Sequence, residues 1–222
     1  MGQTRLILIG AGVLLSLGMG IRQSLGLFLT PVTRDLALSA ADFTLAVAVQ
    51  NIVWGLSQAP VGAIADRFGL RSTMVAGAGI YVIGLAVMAA AGGAPALIAS
   101  GVLIGVALSC TASSLALTAT ARAIPEQRRS KVLGIVSAAG SLGTLLIPLT
   151  TQTLLAHQAW QIGVLFFLML AVTMLPAGFY AGGADRLPGL GAPRLKVRIV
   201  VAGSSPQICR CGLMRGMVTC WV

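Results

Sequence analysis

The sequence of 222 residues is 57% hydrophobic, only 9% charged and has a mean hydropathy of +0.95. This composition excludes an ordinary water-soluble domain of this size and predicts a protein surrounded by a lipid bilayer. The formal net charge is +10, but the basic residues are scattered over connections and a C-terminal tail, which argues against a nucleic-acid-binding face.

Six apolar runs of about 20 to 27 residues follow one another, and none alternates as barrel strands do. Because backbone polar groups in a bilayer must be satisfied internally, the runs predict an all-α, polytopic membrane protein over residues 1–182. The first run is too long for a signal peptide and ends at no convincing cleavage site, so we expect a retained anchor. The six predicted spans are residues 6–32, 43–65, 73–92, 96–121, 132–156 and 160–182.

The first span contains Arg22, a charge that falls well inside an apolar run. At about 1.5 Å per residue it lies about 24 Å along the helix from Leu6, on the outer side of the middle. A guanidinium there can offer paired donors to a carboxylate, which makes Arg22 our candidate for substrate binding. The alternative is that Arg22 snorkels to the outer interface or bonds helix-terminal carbonyls.

Polar residues of neighbouring spans are candidates to share a cavity with Arg22. Gln50, Asn51 and Trp54 fit one face of the second span, because offsets of three and four residues bring helical side chains together. Hydrogen bonding between helices explains each residue at least as well when it is taken singly. The substrate-binding candidates are Gln23, Gln50, Asn51 and Trp54, with Gln58, Ser113, Ser114 and Thr118 as further members.

The charged segment GAIADRFGLR, residues 62–71, separates the second and third spans. Since an ionisable group costs about 3 kcal/mol or more at a helix centre, these charges predict a loop at the membrane surface. With the N-terminus inside, thirteen of the fifteen basic residues are cytoplasmic, so both termini are predicted on that side of a cell (inner) membrane. The thirteen are Arg5, Arg67, Arg71, Arg122, Arg128, Arg129, Lys131 and six residues after the last span.

Small residues in the fourth and fifth spans indicate closely packed helices. The pairs with suitable spacing are Gly101 and Gly105, Ser137 and Ser141, and Gly140 and Gly143. Prolines 60, 148 and 176 fall inside the second, fifth and sixth spans, where each removes a backbone hydrogen bond and can bend its helix.

The single histidine, His157, stands in the short outer connection before Trp160. We expect an interfacial residue beside a tryptophan of the aromatic belt, with a proton relay as the less favoured alternative. The sequence has no facing pair of carboxylates, no phosphate loop and no complete dinucleotide fingerprint, which predicts no enzyme, no cofactor and no metal site.

Residues 183–222 form a basic tail rich in glycine, proline and cysteine, without sustained periodicity. Cys209, Cys211 and Cys220 match no zinc spacing, and disulfides are not expected on the cytoplasmic side. We expect a disordered tail, and a shifted reading frame is one origin that would explain its composition.

Residues 62–71 resemble the motif G-x-L-a-D-R-x-G-R-R/K, which lies between the second and third helices of the major facilitator superfamily. Within residues 5–182, the stretches 20–32, 41–69 and 125–143 resemble its oxalate/formate antiporter and monocarboxylate-transporter branch. The motif positions that match are Gly62, Ile64, Asp66, Arg67, Gly69 and Arg71, and Leu70 departs from it.

This resemblance implies the N-terminal half of a twelve-helix transporter, with six helices arranged as two three-helix repeats. It implies a cytoplasmic gate that holds the two halves together, although a cluster that only fixes topology is the alternative. An arginine expected near Gly101 and a glycine-proline pattern expected in the fifth span are missing, which argues against proton coupling and drug export. The implied gating residues are Gly62, Asp66, Arg67, Gly69 and Arg71.

The sequence therefore predicts a secondary transporter of small organic anions that works by alternating access, truncated to one half. Its expected partners are the anion, the bilayer, a proton or counter-anion, and a second half or a second copy of the chain, but no nucleic acid. The rival predictions are a non-transporting membrane remnant or interaction partner, and a half-transporter that acts only as a dimer. The anion, the coupling ion and the direction of transport stay open.

Overall fold

The computed structural model describes residues 2–111, 113–186, 210–214 and 217–221, and within them six helical spans follow in the predicted order. The first span comprises α1 (Gly2–Ser24), a 3-10 turn (Leu25–Phe28) and α2 (Leu29–Asp35), and the second is α3 (Ala40–Phe68). The third is α4 (Leu70–Ala89), and the fourth is α5 (Ala94–Thr111) followed by α6 (Ser113–Arg122). The fifth is α7 (Glu126–His157), and the sixth is α8 (Trp160–Ala181) with a 3-10 turn at Gly182–Arg186.

Five of the six spans in the described part of the chain are long and apolar enough to cross a bilayer. The exception is α3, which has sufficient length at 29 residues but carries the polar residues Gln50, Asn51 and Gln58 near its middle. The prediction of an all-helical polytopic membrane bundle is confirmed, because all six spans are helical and α3 packs against α4 and α5.

The charged segment 62–71 is helical, and the prediction of a loop there is wrong. The second span continues through Asp66 and Arg67 to Phe68, and α4 begins at Leu70, so only Gly69 separates the two helices. Gly69 has a φ of 91°, a left-handed conformation that favours glycine and lets the chain turn within one residue. The charges therefore lie in the terminal turns of two helices. There a charged side chain can stay out of the hydrocarbon while its backbone remains helical.

The first span is longer than predicted and is interrupted. It extends to Asp35, and the 3-10 turn Leu25–Phe28 begins three residues after Arg22. The turn contains Gly26 and no proline. Short 3-10 segments inside longer helices often mark hinges or local strain, so the backbone just after Arg22 departs from the regular α-helix.

Close packing at the fourth span confirms the predicted role of its small residues. Helix α5 packs against both α3 and α4. A Cβ atom on Gly105 would lie 2.6 Å from the backbone oxygen of Gln50, and one on Gly101 would lie 2.6 Å from that of Ala46. Only glycine therefore allows α3 and α5 to approach this closely.

The fifth span packs on the first with one narrow face. Gly140 and Gly143 are buried there against α1. Ser137 and Ser141 have the predicted spacing but are exposed. Prolines 60, 148 and 176 lie inside α3, α7 and α8 as predicted.

The chain divides into two units, Met1–Leu187 and Pro188–Val222, and the boundary after residue 182 stays a prediction. Within the second unit, strands β1 (Arg210–Met214) and β2 (Met217–Trp221) pair antiparallel, with Cys211 opposite Cys220. Cys209 lies outside the described residues, as does most of the segment for which disorder is predicted.

Candidate functional site

Three of the predicted substrate-binding residues meet between the first and second spans. Arg22 donates a hydrogen bond from Nη2 to Oδ1 of Asn51 at 2.7 Å. The Arg22 guanidinium also lies over the ring of Trp54, with its Cζ 4.6 Å from the ring centroid. We call Arg22, Asn51 and Trp54 the Arg22 cluster. An amide oxygen and an aromatic face both attract a cation, but neither neutralises it.

The second span presents two of the three residues because Asn51 and Trp54 are three positions apart on α3. Nδ2 of Asn51 donates to the carbonyl oxygen of Val47 at 2.9 Å, which turns its Oδ1 towards Arg22. The carbonyl oxygen of Trp54 accepts a hydrogen bond of 2.9 Å from Ser109 Oγ. The close contact of α3 with α5 therefore fixes the helix that carries Asn51 and Trp54, the two residues that Arg22 contacts.

The buried polar atoms without a hydrogen-bond partner in the described part of the chain include two that lie well inside spans. They are Nε of Arg22 and the hydroxyl of Tyr81 in α4. Tyr81 is fully buried. A guanidinium has five N–H donors, so Arg22 keeps hydrogen-bonding capacity beyond the donor that Asn51 uses. The arrangement can accept an additional ligand with acceptor atoms.

The other predicted members do not join the Arg22 cluster. Gln23 is exposed, and it lies beside Arg22 in sequence only. Gln50 is 3% exposed and lines a small cavity of about 20 Å³ with Phe43 and with Gly101 of α5. Its position matches the alternative of a residue between packed helices. Of the further members, Gln58 and Ser114 are exposed, Thr118 donates to the Ser114 carbonyl, and the side chain of Ser113 is not described.

Tyr81 was not among the predicted site residues. It is one of two tyrosines, and it lies deeper in α4 than Arg71, Ser72 and Thr73, which stand in the first turn. A hydroxyl this far inside an apolar run is a usable signal, since a buried Tyr normally finds a hydrogen-bond partner. Which spans surround it depends on how the helices pack.

The predicted gating charges contact different spans. Asp66, whose side chain is 70% exposed, forms an ion pair of 2.8 Å with Arg122 at the end of the fourth span. Arg71 lies over the ring of Phe179 in the sixth span, with Cζ 4.0 Å from the centroid. The neighbouring Arg67 lies 5.3 Å from the ring centroid of Phe68. Arg122, which had been counted only as a topological charge, is therefore part of the contact between spans.

At the opposite ends of the helices, Asp35 joins the first span to the sixth. Its Oδ2 accepts hydrogen bonds from Trp160 Nε1 at 2.7 Å and from Gln161 Nε2 at 3.2 Å. Trp160 is only 5% exposed, so it is a buried contact residue and not the belt tryptophan that was predicted. His157 is exposed.

Comparison with known proteins identifies the family. A family model described as Major Facilitator Superfamily matches residues 8–199. The methyl viologen resistance protein SmvA of Salmonella typhimurium, from strains 14028s and LT2, is 30% identical over 162 residues. The match covers 71% of this chain and 32% of that relative. These matches support the superfamily but not the narrower oxalate/formate and monocarboxylate branch. By the family match, this multi-pass membrane chain belongs to the Major Facilitator Superfamily, a family of transporters.

Proposed function

We propose that this chain is the first half of a secondary transporter for small organic anions of the monocarboxylate or oxalate/formate type. The observation that carries the proposal is the Arg22 cluster, in which a cation inside a span contacts an amide and a ring, and its Nε has no hydrogen-bond partner among the described residues. A carboxylate that enters this site would supply the missing acceptors and the missing negative charge.

The distribution of acidic residues favours an anion over a cation as the substrate. The sequence contains five acidic residues, and each stands near the end of a span or in a connection. A cation held within the bundle needs a carboxylate or an aromatic cage, whereas here the charged residue among the spans is Arg22. The five residues are Asp35, Asp42, Asp66, Glu126 and Asp185.

A second candidate substrate class comes from the name of the relative. SmvA is named for resistance to methyl viologen, which is an organic cation. With Arg22 in place, a cation at the same site would meet a like charge and only the ring of Trp54 as an attractive group. We therefore rank export of an organic cation below transport of an anion for this chain.

The proposed mechanism is alternating access, in which two halves rock about a site near the middle of the membrane. This chain covers 32% of the length of the relatives it matches, so the complete activity is proposed for an assembly with a second half or a second copy. We propose that the Asp66–Arg122 pair, which lies within this half, breaks and re-forms as the gate to the second half moves, with both chain termini in the cytoplasm of a cell (inner) membrane. Coupling to a proton or to a counter-anion is compatible with this scheme.

Binding of labelled anions tests the proposal directly. The purified chain is titrated with radiolabelled oxalate, formate and lactate in a scintillation proximity assay, and Trp54 emission is followed in parallel. We expect saturable binding of at least one anion and a change in emission that the Trp54→Phe variant lacks, because the ligand must disturb the guanidinium over that ring. Binding of none of the three, by a chain that is inserted and helical, contradicts the proposal.

Flux measurements separate the proposed transporter from its rivals. Uptake of the same anion into proteoliposomes is measured at a series of protein-to-lipid ratios. Flux that falls steeply on dilution indicates a dimer of half-transporters, because association depends on protein concentration. Binding without flux at any ratio indicates a non-transporting chain that retains the site, and saturable uptake of organic cations alone would favour the second substrate class.

A further inference from the structure

An open groove lies between the third and sixth spans at the end of the bundle that carries Arg71. Its volume is about 560 Å³. The walls are Phe68, Gly69, Arg71, Ser72, Val75, Ala76 and Phe179. No substrate-binding candidate contributes to it, so the groove is distinct from the Arg22 cluster.

Arg71 gives one end of this groove a positive charge. Its Cζ lies 4.0 Å from the centroid of Phe179, and its Nε is buried with no hydrogen-bond partner in the part of the chain that the structure describes. No carboxylate with a described side chain forms an ion pair with Arg71, while the nearby Asp66 is paired with Arg122. The groove also opens at the N-terminus of α4, where Leu70 is the first helical residue and the helix dipole adds partial positive charge.

Ser72 uses its hydroxyl on the carbonyl oxygens of Phe68 and Gly69, and beyond it the groove is apolar and extends towards the hydrocarbon. Val75 and Ala76 lie four and five residues beyond Arg71 along α4, about 6 to 7.5 Å deeper in the membrane. Phe179 covers this part from the sixth span and is 49% exposed, and Phe68 at the mouth is 64% exposed. A cation at the surface followed by an apolar channel is complementary to a phosphate headgroup with an acyl chain.

We propose that this groove binds one anionic phospholipid, with its phosphate on Arg71 and an acyl chain along Val75, Ala76 and Phe179. The occupant is a lipid, since the groove continues from a charged mouth into a lipid-facing wall and has no further polar side chain at its inner end. In a membrane with negatively charged lipids on this side, the basic residues of the helix ends raise the local concentration of the ligand.

The test is native mass spectrometry of the purified full chain in detergent, titrated with phosphatidylglycerol or with phosphatidylethanolamine of the same acyl chains. We expect one phosphatidylglycerol to bind in preference, and Arg71→Gln to weaken it about tenfold, because a charge-assisted contact is lost. Arg67→Gln is the matched control. It removes an exposed arginine four positions away that is outside the groove lining, and binding should stay within about twofold.

A second variant tests the apolar part without touching the charge. Ala76 is exposed and lines the groove, so Ala76→Phe should fill the space for the acyl chain and weaken phosphatidylglycerol about fivefold while the fold persists. Equal binding of the two lipids, equal losses in Arg67→Gln and Arg71→Gln, or displacement of the lipid by inorganic phosphate would each overturn the proposal. The last result would identify a phosphate site that needs no acyl chain.

Discussion

Two arginines join neighbouring spans of this bundle in different surroundings. Arg22 lies within the first span, 2.7 Å from an amide oxygen of Asn51 and 4.6 Å from the ring centroid of Trp54. Arg122 lies at the end of the fourth span, 2.8 Å from the carboxylate of Asp66, which is 70% exposed. One arginine has dipoles and a ring for neighbours, and the other has a counter-charge in contact with water.

The difference shows that the surroundings of a charge decide what it can do in a membrane protein. An exposed ion pair is worth about 0 to 1 kcal/mol, because water and salt screen it, so it can break and form during a conformational change. A cation among apolar helices is costly unless something compensates it. Asn51 compensates Arg22 only in part, and an anionic ligand would supply the rest.

The largest expected effect in this comparison is on anion binding by Arg22→Leu. Hydrogen bonds to a charged group are worth about 1.5 to 3 kcal/mol, so we expect affinity for the transported anion to fall about thirtyfold. Thermal stability should not fall, since leucine removes a charge from an apolar span. The measurement is binding of labelled anion to the purified chain.

Two matched variants give the comparison its control. Gln23→Leu changes the exposed neighbour of Arg22, and Arg122→Leu removes the arginine at the helix end. Both should bind the anion within about twofold of the parent, because neither residue contacts the Arg22 cluster. If Arg122→Leu lost as much affinity as Arg22→Leu, the contrast between the two arginines would be wrong.

A smaller effect is expected from Gly105→Ala, which tests whether the packing of α3 on α5 supports the Arg22 cluster. The new Cβ would meet the backbone oxygen of Gln50 at 2.6 Å. The second span must then move away from α5, and we expect a loss of about 1 to 2 kcal/mol in stability. Equilibrium unfolding in detergent, followed by circular dichroism, measures it.

Gly79→Ala is the control for that packing effect, since a Cβ there has no neighbour within 4 Å. It should leave the free energy of unfolding unchanged or raise it slightly, because alanine favours helix over glycine by up to about 1 kcal/mol. An equal loss in both variants would mean that the clash at Gly105 relaxes without cost and that the second span is not held by this contact.

The fold could be predicted from the sequence to within a few residues, because long apolar runs must become helices in a bilayer. The predicted ends failed where charged residues continue a helix, as Asp66 and Arg67 do up to Phe68. A charged residue at the membrane surface resists burial in hydrocarbon, but it can still be part of a helix. The charges in the sequence therefore indicate where the membrane surface lies and not where the helix ends. No sequence feature predicted the 3-10 turn Leu25–Phe28, since it contains no proline to interrupt the helix.

The site could be predicted only in part. Arg22 was identified by its charge, and Asn51 and Trp54 by their spacing on one helix, and these three do meet. Helical spacing gives a face but not the neighbour that the face contacts, so Gln50 was grouped with them although it lines the contact with α5. The buried hydroxyl of Tyr81 in the third span was not predicted, because which residues of a span are buried depends on the packing of the helices.

The smallest expected effect is that of Asp66→Asn, which removes the exposed ion pair. Because the Asp66 side chain is 70% exposed and that of Arg122 is 19% exposed, we expect a loss below about 1 kcal/mol in stability. Exposed charges are screened over about 10 Å at 0.1 M salt and about 3 Å at 1 M. Unfolding is therefore measured at both salt concentrations, and the difference from the parent should shrink at the higher one. A loss above about 2 kcal/mol that salt does not change would place the pair in a buried network, and it could then no longer serve as a contact that opens readily.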